Sequence, residues 1–467
     1  MINSIPESYR EFLKKINFAS GLKLISFAAK IRKIKPEILI NRFSGTNKLF
    51  YWNQPWQKIE FLAVGNVKSI TANGFERTSL TEEQFKQLFP DFISNHAEFP
   101  DVTFPVFMGG LKFAPDLNKN LWDDYEDSDW FIPEFVIYSA DEDCYVIYNT
   151  FTGNFDRETQ IDKLKEFLGK LQNLNGNQFP AVSKIISTHS NEDDKNEKDI
   201  WINNIESALS TIRQSDLHKV VLARKVTTEI SGFLSFDDVV TKLSNKYPDC
   251  YTFLYKSGAS FFFGASPEKL VKFNGGWIES DALAGSAPRG SNENEDKRIA
   301  EELLSSAKNL TEQKAVTEFI AHSFSYFSDE IIYPENPVIK KLPNIQHLFT
   351  PVKAKLKEEK TIFKIIHEIH PTPAICGTPL MKAFQKIKEL EDFERGLYSG
   401  AVGWFNFNCV GEFAVAIRSG LLKENKIYAF AGCGIVEGSD PLIEYEETRL
   451  KLQPIFSLFK DEKITKS

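Results

Sequence analysis

The segment GEFAVAIRSGLLKENKIYAFAGCGIVEGSDPLIEYEETRLKL, residues 411–452, decides the fold class of this chain. It begins with alternating apolar residues, which are typical of a β-strand, and the polar turn Lys423-Glu424-Asn425 leads into a second such run. Asp440 and Pro441 then form a helix N-cap followed by proline at the first helical position. A strand pair followed directly by a helix indicates antiparallel sheet covered by helices.

Paired strands are also predicted upstream of this segment. CYTFLYKSGASFFFGAS (250–266) predicts a hairpin that turns at Lys256-Ser257-Gly258, and LVKFNGGWIES (270–280) predicts one that turns at Asn274-Gly275-Gly276. Hairpins outnumber strand–helix–strand units, so the expected class is α+β, with antiparallel sheets flanked by helices. The other predicted elements are a helix over 201–214, a strand at Lys219–Val226 and a long helix over about Glu293–Phe327.

A polar segment divides the chain into two parts. HSNEDDKNEKDI (189–200) has no apolar period and predicts an exposed loop or linker. We therefore divide the chain at this point, into residues 1–195 and residues 196–460. Short strand-like runs such as Ile59–Val64 occur before the division.

The composition argues against several classes of protein. The formal net charge is −8 and the Lys and Arg residues are dispersed, whereas nucleic-acid binding needs a basic face. No run approaches the roughly 18 consecutive apolar residues that span a membrane, and the N-terminus lacks the apolar region of a secretory signal. The five cysteines form no C-x-x-C pair. We therefore expect a cytoplasmic protein with reduced cysteines and no nucleic-acid or membrane partner.

Glu312 is a charged residue in an unexpected position. In the helical pattern it precedes Val316 and Ile320, at i+4 and i+8, and so lies on the stripe that faces the core. A carboxylate there is costly unless it is paired or bound to a metal. A structural salt bridge and a metal ligand both fit this position.

The last predicted helix carries charges on one face. Glu444 and Glu447 lie at i and i+3, and Lys451 follows four residues later. These two carboxylates, with Glu312 from another helix, would make an oxygen-only site suited to Mg²⁺, and Lys451 could contact an anion held there. A solvated charged face is the alternative, because spacing alone does not bring the two helices together.

Two further basic residues are candidates for chemistry. Lys219 opens a predicted strand, where it is either an exposed strand-end lysine or, in a partly desolvated site, a general base. Arg418 lies in the alternating run FAVAIRSG, on one face with Ala414 and Ala416. It is either an edge-strand arginine or a clamp for a carboxylate, which its planar guanidinium binds through two hydrogen bonds.

Eight ordered blocks of the chain form a recognisable set. They are HKVVLAR (218–224), FFFGASPEKLV (261–271), ALAGSAPRG (282–290), NIQHLFTPV (344–352), HPTPAICGTP (370–379), FERGLYSGAVGW (393–404), VAIRSGLL (415–422) and FAGCGIVEGSDPLIEYEETRLKL (430–452). In this order they resemble the chorismate-utilising enzymes, a family that includes the isochorismate, anthranilate, aminodeoxychorismate and salicylate synthases. The first part of the chain resembles the family more loosely, through FMGGLKFAP (107–115) and WFIPEFVIY (130–138).

The resemblance implies one compact catalytic fold, like that of anthranilate synthase component I, with two large antiparallel sheets flanked by helices. Residues 196–460 would then be the chorismate-binding catalytic region. By block position, Glu312 and Glu447 match the family's Mg²⁺ ligands, and Glu444 matches a carboxylate that acts on the metal through water. The residues that match substrate-binding positions are Gly285, Ser286, His347, Ala374, Tyr398, Ile417, Arg418, Gly432, Gly434 and Lys451.

Within the family, isochorismate synthase is the activity that the blocks imply. Lys219 matches the base that activates water, which anthranilate synthases lack, and Ala284 stands where aminodeoxychorismate synthases carry a nucleophilic lysine. Glu268 matches the acid that protonates the departing C4 hydroxyl of chorismate. The HPTPAICGTP block is also more similar to isochorismate synthases than to other branches. Salicylate synthase, which goes on to eliminate pyruvate, and a non-catalytic chorismate-binding protein are the alternatives.

One position near Glu312 departs from the family's pattern. The block around Glu312 usually has histidine at the next position, where this chain has Gln313, and we expect an altered rate or positioning rather than lost activity. We expect a monomer that needs no amidotransferase subunit. Isochorismate feeds menaquinone, siderophore and salicylate synthesis, and the sequence does not distinguish among these pathways.

Overall fold

The computed structural model describes residues 4–16, 23–88, 92–99, 102, 107–116, 121–153, 156–172, 184–186, 191–357 and 362–459. Over these ranges the chain forms two large β-sheets that pack face to face, with helices on their outer surfaces. No helix in the described ranges is long and apolar enough to cross a membrane. The helices are α1 (Ile5–Lys14), α2 (Ile40–Phe43), α3 (Arg77–Leu88), α4 (Arg157–Gln172), α5 (Asn191–Gln214), α6 (Phe236–Lys246), α7 (Glu293–Ser305), α8 (Ala307–Ser325), α9 (Ile362–Ile369), α10 (Leu380–Leu390) and α11 (Pro441–Phe456).

The strands alternate with these helices along the chain. They are β1 (Leu24–Ile31), β2 (Lys48–Gln54), β3 (Ile59–Val64), β4 (Lys68–Ala72), β5 (Phe92–Ser94), β6 (Phe107–Leu111), β7 (Ser128–Ile132), β8 (Phe135–Ala140), β9 (Asp143–Phe151), β10 (Lys184–Ile186), β11 (Lys219–Ser231), β12 (Tyr251–Ser257), β13 (Ser260–Ser266), β14 (Lys269–Asn274), β15 (Trp277–Pro288), β16 (Glu330–Ile332), β17 (Val338–Lys341), β18 (Ile345–Lys355), β19 (Gly377–Thr378), β20 (Ala401–Phe405), β21 (Gly411–Val415), β22 (Ser419–Lys423) and β23 (Lys426–Val436).

Both sheets mix strands from distant parts of the sequence. The first sheet has the order β10-β11-β23-β22-β13-β12-β2-β3-β8-β9-β1-β5, with β19 beside β11. The second has the order β16-β18-β15-β14-β21-β20-β6-β7-β4, with β17 beside β18. Among the described strands the β1–β5 pair is parallel and the other pairs are antiparallel. The predicted α+β class with two large antiparallel sheets is confirmed.

The predicted hairpins form where the turn residues allow them. Asn274 pairs with Trp277, and the intervening Gly275 and Gly276 have φ of 57° and 78°, the left-handed values that a two-residue hairpin turn requires. Ser257 pairs with Ser260 in the β12–β13 hairpin. Asp440 caps α11 as predicted, since its side chain accepts hydrogen bonds from the backbone N–H groups of Leu442 and Ile443.

The run GEFAVAIRSGLL is not the single strand that its alternation predicts. Residues 411–415 form β21 in the second sheet, residues 419–423 form β22 in the first sheet, and the chain crosses between the sheets at 416–418. Arg418 has a left-handed φ of 53°, which redirects the chain at this point. Pro267-Glu268 make a similar crossover from β13 to β14. The positions of Arg418 and Glu268 therefore follow from two passages between the sheets.

Two other local predictions are wrong. The long helix predicted over Glu293–Phe327 is divided into α7 and α8, because Ser306 is extended and its side chain caps α8 by accepting from Asn309 N–H. The predicted loop at 189–200 is helical from Asn191, as part of α5, while His189 and Ser190 lie outside the described residues. Helix α5 continues beyond this polar segment, and there Trp201 and Ile205 are buried in the hydrophobic core. The division into 1–195 and 196–460 stays a prediction.

The sheets enclose an aromatic core. The rings of Phe61 in the first sheet and Trp404 in the second lie 5.3 Å apart between centroids. Helices α1 and α3 cover the outer faces of the first and second sheets through Tyr9 and Phe85 respectively. This packing fixes the two crossovers relative to each other, and they border the site described next.

Candidate active site

A cavity of about 240 Å³ lies beside the two crossovers and is closed by α8 and α11. It brings together fourteen of the fifteen residues predicted from the sequence, drawn from both sheets. A larger cleft of about 510 Å³, with Phe113 and Trp122 in its lining, contains none of them. The fourteen residues are Glu268, Gly285, Ser286, Glu312, His347, Ala374, Tyr398, Ile417, Arg418, Gly432, Gly434, Glu444, Glu447 and Lys451.

Lys219 is the fifteenth predicted residue, and it reaches the cavity through Glu312. It is the first residue of β11 and is 5% exposed, and its Nζ lies 2.6 Å from Glu312 Oε1. Gly434 on the adjacent strand leaves room for it, because a Cβ at residue 434 would stand 2.7 Å from Lys219 Cε. Burial acts to raise the pKa of Glu312, but the ammonium groups of Lys219 and Lys451 outweigh burial and lower it.

Helix α11 presents its charged face to the cavity, as its spacing predicts. Lys451 Nζ lies 2.6 Å from Glu447 Oε1 and donates to the carbonyl of Gly432 at 2.9 Å. Burial raises the pKa of Glu444, and the negative charge of Glu447 raises it further. Two carboxyl groups are thus held near each other on one face, at an electrostatic cost that a cation would relieve.

The carboxylates suit a hard metal ion by their chemistry. Glu312, Glu444 and Glu447 offer only oxygen donors, the type that Mg²⁺ prefers. Glu312 and Glu447 are each bonded to a lysine, and within the described ranges no three His, Cys, Asp or Glu side chains are arranged to hold a metal. The donor set therefore fits the metal predicted from the sequence, while the geometry of a metal centre is not shown.

Arg418 and His347 form a second polar group in the cavity. Arg418 Nη2 lies 3.3 Å from His347 Nε2, and His347 Nδ1 lies 2.9 Å from Ser286 Oγ and 3.3 Å from the carbonyl of Gly285. Burial lowers the pKa of His347 well below its usual range, as do the charges of Arg418 and Lys451. The imidazole is therefore neutral, and it accepts a hydrogen bond from the guanidinium at Nε2.

The buried Arg418 guanidinium is not paired with a carboxylate of the described residues. It is 4% exposed, and no carboxylate of the described residues lies within 4 Å of it. Burying an unpaired guanidinium is costly, and an anionic ligand would offset that cost through a two-point hydrogen bond. This arrangement favours the carboxylate clamp over the edge-strand alternative, because Arg418 lies in a crossover rather than at a sheet edge.

Glu268 differs from the other carboxyl groups because it has no direct partner. No group in the described ranges donates a hydrogen bond to its carboxyl oxygens, although the residue is only 4% exposed. Burial, aided by the charge of Asp281, raises its pKa to about 8 against the opposing charges of three lysines. The group therefore carries a proton at neutral pH and is suited to act as an acid.

The remaining wall of the cavity is apolar, and residues outside the cavity hold it in place. The ring of Tyr398 stacks on that of Phe430 with centroids 5.2 Å apart. Arg395, which pairs with Glu391, donates to the carbonyls of Val221 at 2.7 Å and Ile375 at 2.9 Å. These bonds hold the strand that begins at Lys219 against the loop that carries Ala374, so a flat ligand would meet a rigid surface.

Gln313 points away from the cavity and joins α8 to β15. Its Oε1 accepts from the N–H of Ala284 at 2.8 Å, and its Nε2 donates to the carbonyl of Ala282 at 2.9 Å and to Thr350 Oγ1 at 3.0 Å. It is 1% exposed. Because both ends of the amide are satisfied, Gln313 fastens α8, which carries Glu312, to β15. The expected effect on rate or positioning stays a prediction.

Several residues near the cavity were not predicted. Lys308 and Cys433 line it, and Asp281 and Lys340 lie behind Glu268. A carboxylate in the otherwise apolar run SDALAG was a signal for Asp281. No such signal marks Lys340 in the sequence, because the segment VIKKLP (338–343) has the pattern of an exposed basic loop.

Comparisons with known proteins identify the family of the chain. A family model for chorismate binding enzymes matches residues 11–460. The isochorismate synthase MenF of Bacillus subtilis (strain 168) is 33% identical over 478 aligned residues, which cover 99% of this chain and 100% of that protein.

Two solved structures are similar in fold. The menaquinone-specific isochorismate synthase MenF from Escherichia coli has a TM-score of 0.79 at 22% identity, covering 98% of this chain and 99% of its own. Anthranilate synthase component I from Streptococcus pneumoniae has a TM-score of 0.69 at 22% identity, covering 86% and 92%.

Proposed function

This chain belongs to the family of chorismate binding enzymes, and we propose that it is an isochorismate synthase, an isomerase that converts chorismate to isochorismate. The observation that carries the proposal is one cavity lined by the buried Glu268, which has no direct partner, and by Glu312, which bonds to the buried Lys219. The full-length similarity to an isochorismate synthase supports the same activity.

The proposed chemistry needs one base and one acid. The unprotonated amine of Lys219 removes a proton from water as the water oxygen bonds to C2 of the ring. The ring double bonds shift, the bond between C4 and its hydroxyl breaks, and Glu268 gives its proton to that hydroxyl. One water enters and one leaves, so the product is an isomer of the substrate with its enolpyruvyl group retained.

The substrate has two carboxylates, and the cavity offers cations for them. We assign Arg418 to one carboxylate, because its guanidinium is buried and has no carboxylate partner in the described part of the chain. Neutral His347 and Ser286 lie beside it, near the proposed place of the enolpyruvyl group. Lys451 and the backbone at Gly285, Gly432 and Gly434 would bind carboxylate oxygens, and Ala374, Tyr398 and Ile417 would border the ring.

We assign Glu312, Glu444 and Glu447 to a Mg²⁺ ion, on the chemistry of their donor atoms. When bound there, Mg²⁺ supplies positive charge that neutralises a substrate carboxylate and competes with the Lys219 ammonium for Glu312. The protein's part is to keep these carboxylates on two rigid helices, α8 and α11, beside the acid and the base.

Salicylate synthase remains the second candidate, since it would use the same base and continue to pyruvate elimination. The lowered pKa of His347 makes its imidazole a weak base, and Nε2 already accepts from Arg418, which favours arrest at isochorismate. We further propose that the enzyme acts as a monomer in the cytoplasm and needs no amidotransferase subunit.

Incubation of the purified protein with chorismate and Mg²⁺ tests the function, with EDTA as the control and products resolved by chromatography and mass spectrometry. We expect a metal-dependent product of unchanged mass that co-elutes with isochorismate. Salicylate with pyruvate would move the assignment to salicylate synthase. Bound chorismate without turnover would contradict an enzymatic role.

A further inference from the structure

The backbone of Glu268 is held on one side by the neighbouring crossover. Val415 N–H donates to the carbonyl of Glu268 at 3.0 Å, and Ser266 Oγ donates to the carbonyl of Val415 at 2.6 Å. The N–H of Glu268 in turn donates to Ser266 Oγ at 3.2 Å. These bonds orient the Glu268 peptide but leave its carboxyl group unbonded.

A buried carboxylate, Asp281, organises the other side of the crossover. Lys340 Nζ donates to the carbonyl of Pro267 at 2.7 Å and lies 3.6 Å from Asp281 Oδ2. Lys269 Nζ lies 3.3 Å from Asp281 Oδ1. Asp281 thus pairs with two lysines on either side of Glu268. Lys340 is hydrogen-bonded to Pro267, the residue before Glu268, and Lys269 is the residue after it.

We propose that Asp281 is a positioning residue for the acid, holding Lys269 and Lys340 about the Pro267-Glu268 crossover so that the Glu268 carboxyl faces the cavity with its proton. The proposal rests on the proposed function, in which Glu268 protonates the leaving hydroxyl. Asp281 does not line the cavity, so it acts through Glu268 and not on the substrate.

Charges on four elements face Glu268, and they act in opposite directions. After burial, Asp281 on β15 favours the protonated carboxyl, while Lys340 on β17, Lys219 on β11 and Lys451 on α11 favour the carboxylate. The pKa of Glu268 is raised to about 8, so the acid is competent below that pH and is lost as the pH rises through it. Activity should therefore fall on the basic side of the pH profile.

Two substitutions with opposite expected effects test the proposal. Asp281→Asn removes the negative charge, so the basic limb of the kcat–pH profile should move to lower pH by roughly 1 unit. Lys340→Gln removes an opposing cation, so the limb should move to higher pH. Asp281→Glu should restore the position of the limb. A merely structural role would reduce kcat at every pH and leave the limb in place.

Glu279 provides the matched control. It lies on the same face of β15, two residues before Asp281, and its Oε2 is 3.6 Å from Lys269 Nζ. It is not among the charges that contribute most to the pKa shift of Glu268. Glu279→Gln should therefore leave the basic limb where it is in the wild type.

A carbon-13 NMR titration of the Glu268 carboxyl, assigned with Glu268→Gln, separates this proposal from the function itself. A pKa that falls in Asp281→Asn and rises in Lys340→Gln supports the positioning role even if chorismate is not turned over. Shifts of the same sign in both variants, or none in either, would overturn it.

Discussion

The cavity has two walls that treat a buried carboxyl group in opposite ways. The Glu268 wall is formed by Pro267 and Glu268, with Lys269, Asp281 and Lys340 behind it. The Glu268 carboxyl has no direct partner, so burial and Asp281 raise its pKa to about 8. The Glu312 wall is formed by Glu312, Glu444, Glu447 and Lys451, and Lys219 bonds directly to the Glu312 carboxylate, whose pKa is lowered. Burial is common to both walls, so the nearest cation decides whether the group keeps its proton.

The different pKa values of Glu268 and Glu312 suit the two carboxyl groups to different chemical roles. A carboxyl that holds its proton at neutral pH is an acid, and one that is ionised is a ligand for a cation or a partner for a base. Both groups are held by the backbone, because the Glu268 carbonyl accepts a hydrogen bond from Val415 N–H beside the other crossover and Glu312 lies within α8. The same fold therefore keeps two chemically different carboxyl groups beside one ligand.

The largest effect is expected from Lys219→Ala in the Glu312 wall. Removing a general base should reduce kcat by about 10²–10⁴-fold, and saturating Mg²⁺ should not restore it. Lys225→Ala is the matched control, since Lys225 lies on the same strand and borders the other cleft. Formation of isochorismate, followed by chromatography, measures both variants. A Lys219→Ala enzyme within about tenfold of the wild type would remove Lys219 from the role of base.

The local features of both walls could be predicted from the sequence, but their assembly could not. Helical spacing placed Glu444, Glu447 and Lys451 on one face, and the structure shows the Lys451–Glu447 ion pair. Lys219 and Glu312 are far apart in the sequence, and no periodicity relates a strand to a distant helix. The resemblance to a family, rather than the pattern, brought these two residues to one site.

The sheet crossovers show a second limit of pattern reasoning. Alternation continues through FAVAIRSG because residues on both sides of the crossover are in strands, so a change of sheet leaves no trace in a period of two. The left-handed φ of Arg418 is maintained by tertiary contacts, including the hydrogen bond from Ala265 N–H to its carbonyl. Asp281 was missed for a related reason, since it is buried and its partner Lys340 lies on another strand.

A smaller effect is expected from Glu444→Gln, which tests the metal assignment in the Glu312 wall. If Glu444 acts on Mg²⁺ through water, its loss should raise the Mg²⁺ concentration needed for half-maximal rate by roughly 10–100-fold, with kcat largely recovered at saturation. Glu446→Gln is the control, because Glu446 lies on the same helix, is exposed and pairs with Arg449.

Magnesium titrations of turnover and calorimetric titrations of the metal both measure this requirement. Glu268→Gln should lose turnover yet bind Mg²⁺ like the wild type, since Glu268 belongs to the other wall. Equal Mg²⁺ requirements in Glu444→Gln and Glu446→Gln would contradict the assignment of Glu444. A changed Mg²⁺ affinity in Glu268→Gln would show that the two walls are not separate.

The smallest effect on activity is expected at Gln313, which connects the two walls by joining α8 to the strand that carries Asp281. Gln313→Met keeps the length of the side chain but leaves the N–H of Ala284 and the carbonyl of Ala282 without their partner. Each unsatisfied buried backbone group costs about 1–3 kcal/mol and two are left, so the free energy of unfolding should fall by about 2–6 kcal/mol. The thermal unfolding midpoint should decrease accordingly.

Lys314→Met is the control for Gln313→Met, because Lys314 is the next residue of α8 and is exposed, with a weak 3.7 Å pair to Glu318. Its free energy of unfolding should change by less than about 0.5 kcal/mol. If Gln313 acts only by position, Gln313→Met should keep the basic limb of the wild-type pH profile, since it leaves the charges around Glu268 unchanged. A moved limb with unchanged stability would instead mean that the amide affects proton transfer, and the two walls would be coupled electrostatically through α8.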